Sequence, residues 1–124
     1  MNLSAVAKYR LLNQNITKSG FTKAKELVSH MGAMQAQDFA MSKWAIGLRV
    51  PGLTEKEINA SIDKGEIIRT HVLRPTWHLV NAQDVHWMLA LTGPKIRSSL
   101  NGRHKELELD ENIISKAIFY SKNI

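Results

Sequence analysis

The sequence predicts an α+β domain, mostly helical, with one β-hairpin set among the helices. Three observations lead there. The stretch Gly65–Asp84, GEIIRTHVLRPTWHLVNAQD, holds two short β-rich runs, Ile67–Arg74 and Thr76–Asn81, joined across Pro75. Val, Ile, Thr and Trp favour a pleated, half-buried surface, and Pro, which cannot donate to a ladder, belongs at the turn. Apolar residues on either side of this ribbon recur at helical spacing, punctuated by Gly20, Gly32, Gly65 and Gly93-Pro94. Finally, no linker, repeat or low-complexity tract divides the 124 residues, so residues 1–124 form a single domain large enough for one core. Helices, then a hairpin, then more helices make a winged-helix plan with the hairpin as its wing.

The elements follow in order. Ser4 is placed to cap a helix running to about Gln14, with Val6, Tyr9 and Leu11 or Leu12 on its stripe. After Gly20, Thr22 is the expected cap of a second helix carrying Ala24, Leu27, Val28 and Met31. Gly32 ends that helix, and the junction Ala33–Asp38 leads to a third, from about Phe39 to Leu48, with Asp38 as its cap. Pro51-Gly52 is a turn. Thr54-Glu55-Lys56-Glu57 fits a capping box, and the helix it opens carries Ile58 and Ile62 and ends at Gly65. Alternation along the ribbon sets Ile68, Val72, Trp77 and Leu79 on an apolar back, which buries Trp77. Arg69, His71 and His78 then share a cationic front. Asn81 caps the next helix, whose buried side is Val85, Met88, Leu89 and Leu91 and which Gly93-Pro94 stops. A basic stretch, Lys95–His104, precedes a last helix over Asp110–Ser121.

Composition narrows the function. The chain carries 17 Lys and Arg against 11 Asp and Glu, a formal charge of +6, which favours a polyanionic partner. It has no Cys, and no Glu or His stands at ligand spacing near His71 and His78, so no metal site is expected. No apolar run approaches the roughly 20 residues that span a bilayer, and Met1–Gln14 lacks a signal-peptide core, so a cytoplasmic protein without membrane contact is expected. There is no G-x-G-x-x-G, Walker A loop or nucleophile elbow.

Two stretches carry candidate chemistry. In Gln35-Ala36-Gln37-Asp38, two amides one residue apart can converge in a turn to orient a water or read a base edge, and Asp38 offers a carboxylate base. The same residues also read as ordinary surface glutamines beside a helix cap. On the ribbon, Arg69 and Arg74 can fork onto phosphates, and His71 and His78 can donate to phosphate or sugar oxygens. A packed, hydrogen-bonded His78 is the plainer reading. Trp44, Trp77 and Trp87 likewise read as core before they read as base-stacking surfaces.

Three separated segments, MGAMQAQD, LRVPGLTEKEI and GEIIRTHVLRPTWHLVNAQDVHWMLALTGP, occur in an order and spacing that resemble the amino-terminal part of the AlkZ-type winged-helix DNA glycosylases. The resemblance runs from about Leu11 to Pro94. It implies one of several tandem winged-helix domains of a longer protein that binds double-stranded DNA and excises bulky alkylated, in some cases crosslinked, bases without a cofactor. The family's signature of Gln, any residue, then Gln or Asp is matched by Gln35 and Gln37, which the resemblance makes the catalytic pair. It assigns Arg69, Arg74, Thr76 and His78 to DNA contact or site architecture. The alternatives are a winged-helix DNA-binding or regulatory module without catalysis and a protein-interaction domain.

Overall fold

The computed structural model describes residues 2–73 and 76–121. Among them are seven helices and three strands: α1 (Leu3–Asn13), α2 (Ala24–Met31), β1 (Ala33–Gln35), α3 (Phe39–Arg49), α4 (Glu55–Asp63), β2 (Ile67–Thr70), β3 (His78–Asn81), α5 (Val85–Ser99), α6 (Asn101–Glu106) and α7 (Glu111–Ser121). The order from α2 to β3 is winged-helix-like, an α+β arrangement dominated by helix. The strands form an antiparallel sheet in the order β1-β3-β2.

Local chemistry explains most element ends. Asp38 accepts the Met41 N–H at 3.0 Å and opens α3. At α4 the capping box is complete: Thr54 Oγ1 accepts the Glu57 N–H, and Glu57 Oε2 accepts the Thr54 N–H at 2.8 Å. Gly32 and Gly65 follow α2 and α4 with φ of +73° and +70°, a region that L side chains rarely adopt. Two caps differ from expectation. Asn2, not Ser4, caps α1 by accepting the Ala5 N–H, and Lys23, not Thr22, precedes α2 without a side-chain bond.

The sheet is covered on both faces, which corrects the ribbon's expected division into apolar back and cationic front. Strand pairing sets Ile68 opposite Val80 and Arg69 opposite Leu79. Ile68 and Leu79 therefore point to opposite faces. Met34, Ile67 and Leu79 join Leu27, Val28, Ile46 and Ile58 of α2, α3 and α4 in the main core. On the other face, Val80 and Val72 pack with Val85 and Met88 of α5. The strands stop at Thr70 and resume at His78, so the expected hairpin with almost no loop is replaced by a longer connection. Register is set by the paired residues alone, and alternation cannot be carried across the gap. Pro75, the expected turn residue, lies outside the described residues.

Four further expectations change. Residues Ala33–Gln35, expected in a helix junction, form a strand only because they pair with β3, Ala33 to Val80 through Gln35 to His78. Helix α5 does not stop at Gly93-Pro94 but continues to Ser99 with Pro94 inside it, and the basic stretch beyond is helical as α6. The missing Pro94 N–H removes one helical bond, yet the turns on both sides persist. Val85 and Met88 are buried as expected, whereas Leu89 and Leu91 are exposed. Asn81 accepts the Gln83 N–H in a turn before α5, and Asp84 occupies the cap position.

One ion pair ties α2 to the turn after α4. Lys25 Nζ donates to Glu66 Oε1 at 2.9 Å, and Ser61 Oγ donates to Glu66 Oε2 at 3.0 Å. The Lys25 and Ser61 bonds hold the Glu66 carboxyl below its ordinary range, and the Glu66 bond raises the Lys25 ammonium above its own. A lowered carboxyl stabilises the fold above its unfolded pKa and loses that effect as pH falls through the folded value. The raised ammonium stabilises below its unfolded pKa and loses that effect as pH rises through the folded value. The pair's contribution is thus level between about pH 6 and 9. Comparison of melting temperatures is expected to show a gap between wild type and Glu66→Gln that is constant there and closes below about pH 4. A gap that persists in acid would show that the pair is not its source.

Candidate functional site

Gln35 ends β1 and Gln37 lies two residues on, with both side chains exposed and Ala36 between them fully buried in the main core. The ladder runs one bond past β1: the Ala36 N–H donates to the Trp77 carbonyl at 2.8 Å. The segment therefore stays extended through Ala36. Alternation turns both amides outward, with Cα atoms roughly 7 Å apart. The Trp77 N–H donates to Gln37 Oε1 at 3.4 Å, which ties that amide to the ribbon. Neither glutamine is the buried, locally bonded side chain that would remove it from a surface role.

Arg69 reaches the same segment from β2. Its Nε and Nη2 both donate to the Ala36 carbonyl, at 3.1 and 2.9 Å, and Nη2 reaches the Gln37 carbonyl at 3.4 Å. The guanidinium lies 4.6 Å from the Trp77 ring centre and 5.3 Å from that of Phe39. His71 packs on Trp77 at 4.1 Å between ring centres. Trp77, expected in the core, is 36% exposed and serves as a wall for Arg69. Phe39 is expected only as the start of the third helix. It stands at the first helical position after Asp38, 30 residues from Arg69, and no local pattern links the two.

The remaining predicted residues divide. His78 is 5% exposed and sits on the rung between Gln35 and Thr70, on the sheet face opposite Arg69. Thr76 is half-buried one residue before Trp77. Arg74 lies outside the described residues. Asp38, a candidate base, spends Oδ1 on the α3 cap. The structure thus brings Gln35 beside His78, and Gln37 beside Arg69 and Trp77. Among the described residues no three His, Asp or Glu side chains gather as a metal-holding group, and no helix is long and apolar enough to cross a membrane.

The fold and this edge define a winged-helix-like domain that displays two amides on a braced extended segment. Comparison with family models matches residues 28–118 to the family described as DNA glycosylase AlkZ-like. The chain belongs to that family, and the matched span contains Gln35, Gln37, Arg69, Thr76 and His78. Its family links it to DNA glycosylase-related function and to DNA as partner. Comparisons with curated proteins and with solved structures returned no match.

Proposed function

We propose that this chain is the part of a DNA glycosylase that hydrolyses the N-glycosidic bond of bulky alkylated bases in double-stranded DNA, with Gln35 and Gln37 orienting the attacking water. The observation that carries the reading is the exposure of both amides on one side of an extended segment whose middle residue, Ala36, is locked in the core. Such a segment fixes where both side chains leave the backbone, and Gln37 is tied further through Oε1 to the Trp77 N–H.

The chemistry suits neutral amides. An alkylated purine leaves carrying the electron pair of the C1′–N bond, which cancels its positive charge. The sugar becomes oxocarbenium-like, and a water oxygen bonds to C1′ and releases its proton to solvent. Little base strength is required, so placing the water and stabilising the developing charge dominate. Arg69, Thr76 and His78 support the segment or the neighbouring backbone.

Charge distribution favours an approach of DNA along this edge. In a helix-turn-helix the second helix enters the major groove with its N-terminal residues at the bases. Here that helix is α4, and its first turn carries Glu55 and Glu57. Glu57 is committed to the capping box and Glu55 to Lys43. An acidic helix start repels phosphate.

The test is release of base from a duplex carrying a bulky N7-alkylated guanine, read as alkali-labile abasic sites, beside binding of the same duplex. We expect release from the damaged duplex alone, and binding whose logarithm falls linearly with log salt, by about 0.9 per phosphate contacted. Salt-dependent binding without release would replace this reading with that of a non-catalytic DNA-binding module. Binding that ignores salt would remove phosphate contact from either.

A further inference from the structure

Arg69 has an internal engagement that a phosphate ligand would not have. Two of its nitrogens fork onto the Ala36 carbonyl, one of them also reaching the Gln37 carbonyl, and the guanidinium lies over both the Phe39 and the Trp77 rings. The guanidinium lies over both rings, and its donors meet main-chain acceptors just past β1. A guanidinium seated this way gains from both the charge-assisted bonds and the aromatic faces. Lys has one compact ammonium and cannot reproduce the fork or the stacking.

The acceptors matter more than their number. Ala36 is the buried residue between the two exposed glutamines, and its N–H is already bonded to the Trp77 carbonyl. With Arg69 on the carbonyl side, both polar groups of the Ala36 main chain are fixed, one by Trp77, just before β3, and one by Arg69 of β2. Gln37 is tied a second time, its side chain accepting the Trp77 N–H. Trp77 thus touches the segment through its carbonyl and N–H and touches Arg69 through its ring.

We propose that Arg69 is a positioning residue, a clamp from β2 that sets the direction of the Gln35 and Gln37 amides, and not a ligand of the DNA backbone. Resting on the catalytic reading of the two glutamines, it adds the group that holds them in register with the ribbon. A clamp and a phosphate contact differ in what each substitution should change. Removing a phosphate contact weakens DNA binding and lowers the salt slope by about one unit, and Lys largely restores both. Removing a clamp leaves binding and its slope in place, slows the chemical step, and Lys does not rescue it.

The experiment compares wild type with Arg69→Lys and Arg69→Gln, by amide hydrogen exchange, by duplex binding across salt concentrations, and by single-turnover base release at saturating DNA. We expect both variants to speed exchange at Ala36 and Trp77 roughly ten- to a hundredfold, while Leu79 and Val80 keep their protection and so report an intact sheet. Release should slow by about tenfold or more in both variants, with the salt slope unchanged. Full release by Arg69→Lys, or a salt slope reduced by about one unit in Arg69→Gln, would overturn the proposal in favour of a phosphate contact. Unchanged exchange at Ala36 and Trp77 in both variants would overturn it as well. If the wild-type chain releases no base, the catalytic reading of the glutamines fails by itself, and the exchange and salt-slope results still decide whether Arg69 clamps the segment.

Discussion

Leu79→Ala is expected to destabilise the domain by about 2–5 kcal/mol, the cost of the lost burial and of the cavity that partial collapse leaves. Leu79 is wholly inaccessible on β3, the central strand, and packs into the core made by α2, α3 and α4. Its rung holds Met34 on one side and Arg69 on the other. A void there loosens the sheet at the strand that both outer strands depend on. Since small domains have total stabilities of about 5–15 kcal/mol, this one change removes a large share of the margin. The matched control is Leu91→Ala on α5, which removes the same atoms from a side chain 72% exposed. It should move stability by no more than about 0.5 kcal/mol. Urea unfolding midpoints at constant m-value measure both. Equal midpoints for the two variants would mean that the sheet's helix-covered face is not the stabilising core.

How much of this could be read from the chain depends on whether the cause was local. Caps are local, so Asp38 and the Thr54–Glu57 box were legible, as were α3 and α4. β1 was not, because Ala-Met-Gln has little strand preference and is a strand only through bonding to β3, more than 40 residues away. Trp77 misled for a related reason. A large aromatic beside β-branched residues reads as core, but both sheet faces were already filled by α2, α3, α4 and α5, and the indole instead walls in Arg69. Gly93-Pro94 misled because Pro stops a helix only where no neighbouring turn compensates; the Thr92 hydroxyl on the preceding turn has the Val72 and Met88 carbonyls as acceptors for its one proton, and the contact with Val72 pins α5 to the end of the ribbon.

The candidate site was legible in part. Gln35 and Gln37 stood out through a motif, and the family match covers them. Their setting did not stand out. That Ala36 is the fixed point, that Arg69 grips it from β2, and that His78 lies buried on the other face all follow from strand register, which the sequence left open. The expected cationic front of the ribbon dissolved once Arg69 and His78 took opposite faces. What replaces it is a single polar edge where β1 meets the start of β3.

If the two exposed amides on this edge perform the chemistry, single-turnover base release by the Gln35→Ala/Gln37→Ala double variant should collapse while the fold persists. Exposed Gln→Ala changes ordinarily alter stability by less than about 0.5 kcal/mol, so the variant should melt with the wild type. Duplex affinity and its salt dependence should also hold, because neither neutral amide supplies the charge that neutralises phosphate. Loss of the groups that orient the water should nevertheless slow release by about a hundredfold or more, since correct placement of the nucleophile supplies several kcal/mol of such barriers. The double variant should therefore be folded, retain wild-type duplex affinity and release base far more slowly. Release at the wild-type rate would leave Gln35 and Gln37 as surface residues with no part in the chemistry.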